Sequence, residues 1–225
     1  MKKISSIIIG IIVLGALGWF FLSKQNTTQG EVFDGETNEK QEKLVIAFGD
    51  SLTAGYRLPL FESYPAQLET KLKDAGLPVT VVNAGVSGET TRGNLERAQF
   101  IRDQNPDVVL LGIGGNDALR SLPIEETRKN IKETTQILLS GTNPPKVLLL
   151  KMQAPINSGL AYKQTFDSLY KEIAKEYDVE LIPFIVLEVF LNTKYMLDDG
   201  IHPNKDGYTL LVEKYLLEEV IRALK

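Results

Sequence analysis

Apolar and polar positions along the chain follow two alternating rhythms. Short apolar runs, rich in Val, Ile and Leu, occupy 44–48, 79–83, 108–113, 147–151 and 179–182. Runs of that length predict buried strands. Between them, apolar residues recur at helical spacing over 64–75, 91–104, 124–139 and 162–177, and again over 205–224. Pro65 and Pro123 stand where a first helical turn tolerates proline, and Gly76 and Gly141 where helices stop. Strict alternation of strand and helix with short connections predicts an α/β fold, its parallel sheet covered on both faces. The apolar stretch 185–191 has a helical look and is the least defined element.

The first forty-odd residues break this rhythm. Lys2 and Lys3 precede an apolar stretch, 4–22, that carries no charge before Lys24. As a helix it spans roughly 30 Å, about one hydrocarbon core. Trp19, Phe20 and Phe21 gather at its far end, as interfacial aromatics do. The expectation is a membrane anchor over 1–22 with a cytoplasmic N-terminus, so that the rest of the chain is extracytoplasmic, periplasmic or at the cell surface. Secretion after signal cleavage is the alternative, with Ala16-Leu17-Gly18 as a weak cleavage match. Residues 23–43 are almost wholly polar and read as a flexible tether. The globular domain is then 44–225, long enough for a three-layer core.

Composition narrows the chemistry. A net charge of −4 without a long basic run argues against a nucleic-acid partner. The absence of cysteine removes disulfides, thiolate nucleophiles and Cys-ligated zinc together. One histidine, His202, excludes a multi-histidine metal site and leaves one candidate for a base active at neutral pH.

Small and polar residues cluster where the strands end. Gly49-Asp50-Ser51-Leu52 follows the first, the turn through Ser87-Gly88-Glu89-Thr90 the second, and Gly114-Gly115-Asn116-Asp117 the third. In a parallel sheet these turns share the carboxyl edge, where such folds bind ligands. The loop Asp198-Asp199-Gly200-Ile201-His202-Pro203 adds the histidine, with a carboxylate three residues before it. Acyl transfer needs a nucleophile, a base, a group that orients the base, and donors for an oxyanion. Ser51, His202 and Asp199 can fill the first three roles. The N–H groups of Ser51 and Gly88 and the amide of Asn116 can supply the donors. The plainer alternatives are turn glycines at 88 and 114, a helix cap at Asn116 and a loop histidine before proline. Four such features on one sheet edge are less easily coincidental than any one alone.

These blocks, in order and spacing, resemble the SGNH (GDSL-type) hydrolases, and most closely the bacterial acyl-CoA thioesterase, arylesterase and lysophospholipase branch. The likeness runs from about Leu44 to the C-terminus. It implies a flavodoxin-like three-layer α/β/α sandwich with a five-stranded parallel sheet. It also implies Ser51 as nucleophile, Asp199 and His202 as its triad partners, Gly88 and Asn116 as oxyanion donors, and no metal or organic cofactor. In that branch the loop after the Asn-Asp block lines the acyl site. Leu119 and Leu122 there, with Gln153 and Pro155 after the fourth strand, are the candidate substrate wall. A small acyl ester or lipid is the expected substrate and a monomeric catalytic domain the expected form. An extracytoplasmic location disfavours acyl-CoA.

Four rival readings stand beside this one. An O-acetylesterase acting on carbohydrate or peptidoglycan would use the same residues. A phosphatase with an aspartate nucleophile would need a carboxylate where Leu52 stands, and a dinucleotide site at Gly112-x-Gly114 lacks the full glycine pattern. A membrane-tethered binding module would have no need of all four blocks.

Overall fold

In the computed structural model, which describes residues 42–225, the five apolar runs become β1 (Lys43–Gly49), β2 (Val79–Gly85), β3 (Val108–Gly112), β4 (Lys146–Lys151) and β5 (Glu180–Pro183). All pair in parallel, in the order β2-β1-β3-β4-β5. The chain leaves β1 for β2 on one side and returns to β3 on the other, so β1 is the switch point of the sheet. Val45, Ile46, Ala47 and Phe48 of β1 and Val108 to Leu111 of β3 are all buried. That double-sided burial explains why these strands are apolar at every position rather than at alternate ones. Each large side chain so buried contributes about 1.5–3 kcal/mol.

One helical layer contains α2 (Tyr64–Asp74) and the C-terminal pair α8 (Lys205–Leu211) and α9 (Leu217–Ala223). The other contains α3 (Thr91–Asp103), α5 (Ile124–Leu138) and α6 (Leu160–Tyr177). The short helices α1 (Ser51–Ala54), α4 (Gly115–Leu119) and α7 (Leu187–Phe190) follow the carboxyl ends of β1, β3 and β5. This is the expected three-layer α/β/α sandwich.

Four details depart from the sequence reading. The helix expected over 205–224 is interrupted by a wide π turn, Val212–Leu216, which keeps Leu211, Val212, Leu216 and Val220 all on the core. β2 runs on past the expected 79–83 through Ala84-Gly85, which lack strand-like apolarity because this edge strand is partly exposed there. α1 and α4, at four and five residues, are too short to show a helical period. Within 185–191 only Leu187–Phe190 is helical, and of that turn only Val189 is buried. The anchor expected at 1–22 and nearly all of the tether at 23–43 lie outside the described residues. Among the described residues, no helix is long and apolar enough to cross a membrane.

Candidate active site

The site is built on glycine. Gly85, Gly49 and Gly112 stand level across β2, β1 and β3, giving a floor without side chains at the carboxyl edge. Helix α1 lies directly on it. A Cβ at Gly85 would fall 2.2 Å from the Ala54 backbone nitrogen, and one at Gly49 would fall 2.4 Å from the Gly112 carbonyl oxygen. No larger residue fits without moving α1 and, with it, Ser51. Asp50 caps that helix by accepting from the Leu52 N–H at 3.0 Å. Ser51 is therefore the first helical residue, and among the described residues its own N–H has no partner.

The histidine arrives on a self-closed loop. Met196 bridges Pro203, and the Leu197 N–H donates to the His202 carbonyl at 2.8 Å. Inside the loop, Asp199 Oδ1 accepts from the N–H groups of Ile201 (2.9 Å) and His202 (3.0 Å). The other oxygen, Oδ2, lies 2.8 Å from His202 Nδ1, and Nε2 lies 2.8 Å from Ser51 Oγ. One carboxylate thus shapes the loop and holds the ring. Burial raises the Asp199 pKa, but hydrogen bonds from His202 and Ile201 outweigh that and hold it at about 2. From the helix behind the loop, the buried Tyr208 hydroxyl donates to the Leu52 carbonyl at 2.8 Å, coupling α8 to α1.

The turn after β2 supplies the other side. Gly88 has φ +82°, a left-handed conformation suited to glycine, and its N–H is unpartnered among the described residues. The Arg120 guanidinium donates to the Gly88 carbonyl at 2.8 Å. The Asn116 amide donates to the Glu89 carbonyl at 3.0 Å and lies 3.4 Å from Asp50 Oδ2. Asn116 does not cap its helix, since Gly114 occupies that position. Beneath the turn, Glu89 accepts from Nε and Nη2 along one edge of the Arg97 guanidinium (2.9 and 2.5 Å) and from the Asn94 amide. Arg97 also donates to the Ala84 carbonyl at 3.1 Å and lies over the Phe48 ring.

Asp50 is 2% exposed. Burial, reinforced by the nearby Asp117 and Glu89 carboxylates, pushes its pKa up to about 6 despite the hydrogen bond from Leu52. A group so buried, facing Gly115 and Asn116, braces the turn from beneath.

The candidate substrate wall is less convergent. Leu119 is half-exposed at the end of α4, and Pro155 opens the turn after β4. The Gln153 amide donates to the Ile185 carbonyl at 2.8 Å and so ties the turns after β4 and β5. Leu122 lines a cleft between α3 and α5 with Leu95, Glu126 and Asn130, and its carbonyl accepts from the Tyr162 hydroxyl at 3.0 Å. Two contacts went unseen in the sequence. The Tyr56 ring packs on the His202 imidazole, and Arg57 pairs with Asp198. Their position just after the Gly-Asp-Ser-Leu block was the one available signal.

A parallel α/β/α sandwich with serine, imidazole and carboxylate in line at its carboxyl edge defines the class of SGNH-type ester hydrolases. The chain belongs to the GDSL-like lipase/acylhydrolase family, whose family model matches residues 47–210, and it is a carboxylic ester hydrolase. It is 34% identical to an arylesterase of Vibrio mimicus over 83% of this chain and 92% of that one. It is 36% identical to the Escherichia coli K12 thioesterase 1/protease 1/lysophospholipase L1 over 75% of this chain and 79% of that one. Among solved structures, TesA matches with a TM-score of 0.72 at 32% identity, covering 81% of this chain and 98% of that one. The psychrotrophic esterase EstA from Pseudoalteromonas sp., inhibited by monoethylphosphonate, matches with the same TM-score at 26% identity, covering 81% of this chain and 96% of that one.

Proposed function

We propose that this hydrolase cleaves carboxylic esters by a Ser51-His202-Asp199 triad through an acyl-enzyme. The observation that carries this reading is the unbroken line Ser51 Oγ to Nε2 (2.8 Å) and Nδ1 to Asp199 Oδ2 (2.8 Å). In the reaction, Ser51 Oγ attacks the ester carbonyl carbon while its proton passes to His202 Nε2. Asp199 accepts from Nδ1–H, fixes the tautomer and stabilises the imidazolium. The carbonyl oxygen becomes an oxyanion, held by the free N–H groups of Ser51 and Gly88 and by the Asn116 amide proton that exchanges its long bond to Asp50 Oδ2 (3.4 Å) for the oxyanion. The imidazolium protonates the departing alcohol or thiol, leaving Ser51 acylated. Water, deprotonated by His202, then attacks the acyl carbon, releases the acid and restores the serine.

The substrate class is a lysophospholipid, aryl ester or thioester with an apolar acyl chain. Support comes from the arylesterase, thioesterase and lysophospholipase among the relatives and from the apolar Leu119 and Pro155 positions, whereas Leu122 faces the polar cleft between α3 and α5. Residues 1–22 support a membrane-held enzyme with its catalytic domain outside the cytoplasm, where esters and lysophospholipids are met but acyl-CoA is not. A panel of nitrophenyl esters from acetyl upward tests the substrate reading. Turnover rising with chain length supports it, whereas activity confined to acetyl esters would favour an O-acetylesterase. Alkaline carbonate washing tests the location, since a wholly soluble mature protein would contradict the anchor.

A further inference from the structure

The dipeptide after the nucleophile helix touches the histidine loop twice. α1 ends at Gly55 (φ +75°), and the N–H groups of Gly55 and Tyr56 both donate to the Ser51 carbonyl at 3.1 Å. Tyr56 is thereby bound through its backbone to the peptide of Ser51. Its ring lies against the His202 imidazole with centroids 4.6 Å apart and planes tilted by 39°. The next residue, Arg57, has φ +62°, a conformation that non-glycine residues keep only when their surroundings hold them. The turn is closed by the Leu58 N–H, which donates to the Gly55 carbonyl at 2.9 Å, and the Arg57 side chain reaches from it to the histidine loop in an ion pair, Arg57 Nη1 to Asp198 Oδ1 at 2.6 Å. Asp198 immediately precedes Asp199, so both contacts fall on the loop that carries base and orienting acid.

We propose that Tyr56 and Arg57 form a clamp that sets the distance and angle between Ser51 and His202, as positioning residues for the reaction. The inference rests on the triad reading above. Its logic is geometric. Ser51 and His202 come from opposite ends of the chain and share one hydrogen bond, which cannot by itself fix the ring about its Cβ bond. Asp199 restrains the Nδ1 edge, and the Tyr56 ring restrains the face. The Arg57–Asp198 pair is largely exposed, so it contributes little to global stability. Its part is to tie the Tyr56-Arg57 turn, already closed by the Leu58 N–H on the Gly55 carbonyl, to the loop that carries His202. Tyr56 carries the larger share because its contact is made with the imidazole itself.

The test uses the full-length protein, with kcat and KM on nitrophenyl acetate, the rate of fluorophosphonate labelling, and thermal unfolding. Tyr56→Ala is expected to lower kcat and the labelling rate together by about 10- to 100-fold, the scale of a small misplacement of reacting groups, with KM within about twofold. Tyr56→Phe, which keeps the ring, restores both. Arg57→Ala and Asp198→Ala are each expected to lose about three- to tenfold in kcat, with the double variant no worse than either single one. Exchanging the charges, Arg57→Asp with Asp198→Arg, recovers part of that loss. The clamp is overturned if Tyr56→Ala keeps its kcat, if it changes KM alone, or if Tyr56→Phe is as impaired as Tyr56→Ala. Ser51→Ala serves as the control: full activity there would remove the triad reading, whereas an inactive Ser51→Ala beside an unimpaired Tyr56→Ala would remove the clamp alone.

Discussion

The side-chain amide of Asn116 donates to the backbone carbonyl of Glu89 at 3.0 Å, joining the turn after β3 to the turn after β2. One Asn116 proton is thus committed to holding Gly88 and Asn116 in a fixed relation, and the other rests on a long 3.4 Å bond to Asp50 Oδ2, from which a substrate oxyanion can draw it. Donors fixed before the reaction need no reorganisation when charge develops. Asn116→Ala should therefore lower kcat on nitrophenyl esters by about 10²–10³, the usual effect of losing one such donor. An equal loss in kcat/KM would show that the contact is made in the transition state.

Glu89 is expected to matter through its side chain as well. The carboxylate is 11% exposed and pairs with an Arg97 that is itself mostly buried. Glu89→Ala leaves that guanidinium with only the Ala84 carbonyl and the Phe48 ring, a loss of partner that costs about 1–3 kcal/mol. Urea unfolding should show a loss of that order, while the exposed pair Arg92–Glu96 on the same helix should tolerate Glu96→Ala with a change below about 1 kcal/mol.

Gly88→Ala separates conformation from space. A Cβ there would meet Arg120 Nη2 at 3.8 Å, an ordinary contact, but φ is +82°. The strain of about 1–2 kcal/mol belongs to the backbone. Relief of that strain would turn the Gly88 N–H away from the oxyanion position. The expected outcome is a fall in kcat of at least tenfold with a small loss of thermal stability. A fully active Gly88→Ala would remove Gly88 from the oxyanion site.

Two aspartates make opposite contributions to stability as pH changes. The Asp50 pKa is raised from 3.8 to about 6, so between those values the folded protein holds a proton that the unfolded chain releases. Stability then falls as pH rises through that window, by roughly 3 kcal/mol for a shift of this size. The Asp199 pKa is depressed from 3.8 to about 2, so its contribution is complete above the ordinary value and is lost as pH falls through 2. Unfolding free energies of wild type and Asp50→Asn between pH 4 and 7 should converge toward acid and diverge toward neutrality, with the wild type falling relative to the variant. Parallel curves would contradict the buried-charge account.

The sheet was legible because β3, and β1 from Leu44 onward, are apolar or glycine at every position, the signature of strands buried on both faces, while β2, β4 and β5 carry shorter apolar runs. Ser51, Asp199 and His202 were legible because one histidine and no cysteine leave few ways to activate a nucleophile. The five-residue helix α4 was not legible, since it has no room for a period. Asn116 lies inside it, while Gly114, with φ +101°, takes the cap. The Tyr56–His202 and Arg57–Asp198 contacts were hidden for a different reason. They join residues far apart in the chain, and only the assembled fold brings them together. The Glu89–Arg97 pair lies eight residues apart across a turn and a helix start, a spacing that no helical or strand period marks.

The central claim is that Ser51 is the nucleophile activated by His202, and mass spectrometry after fluorophosphonate treatment tests it most directly. The account predicts one adduct on the wild-type chain, mapped to the peptide containing Ser51. It also predicts no adduct on Ser51→Ala, and labelling of His202→Ala slowed by several orders of magnitude. An adduct on another residue, or undiminished labelling of Ser51→Ala, would contradict it.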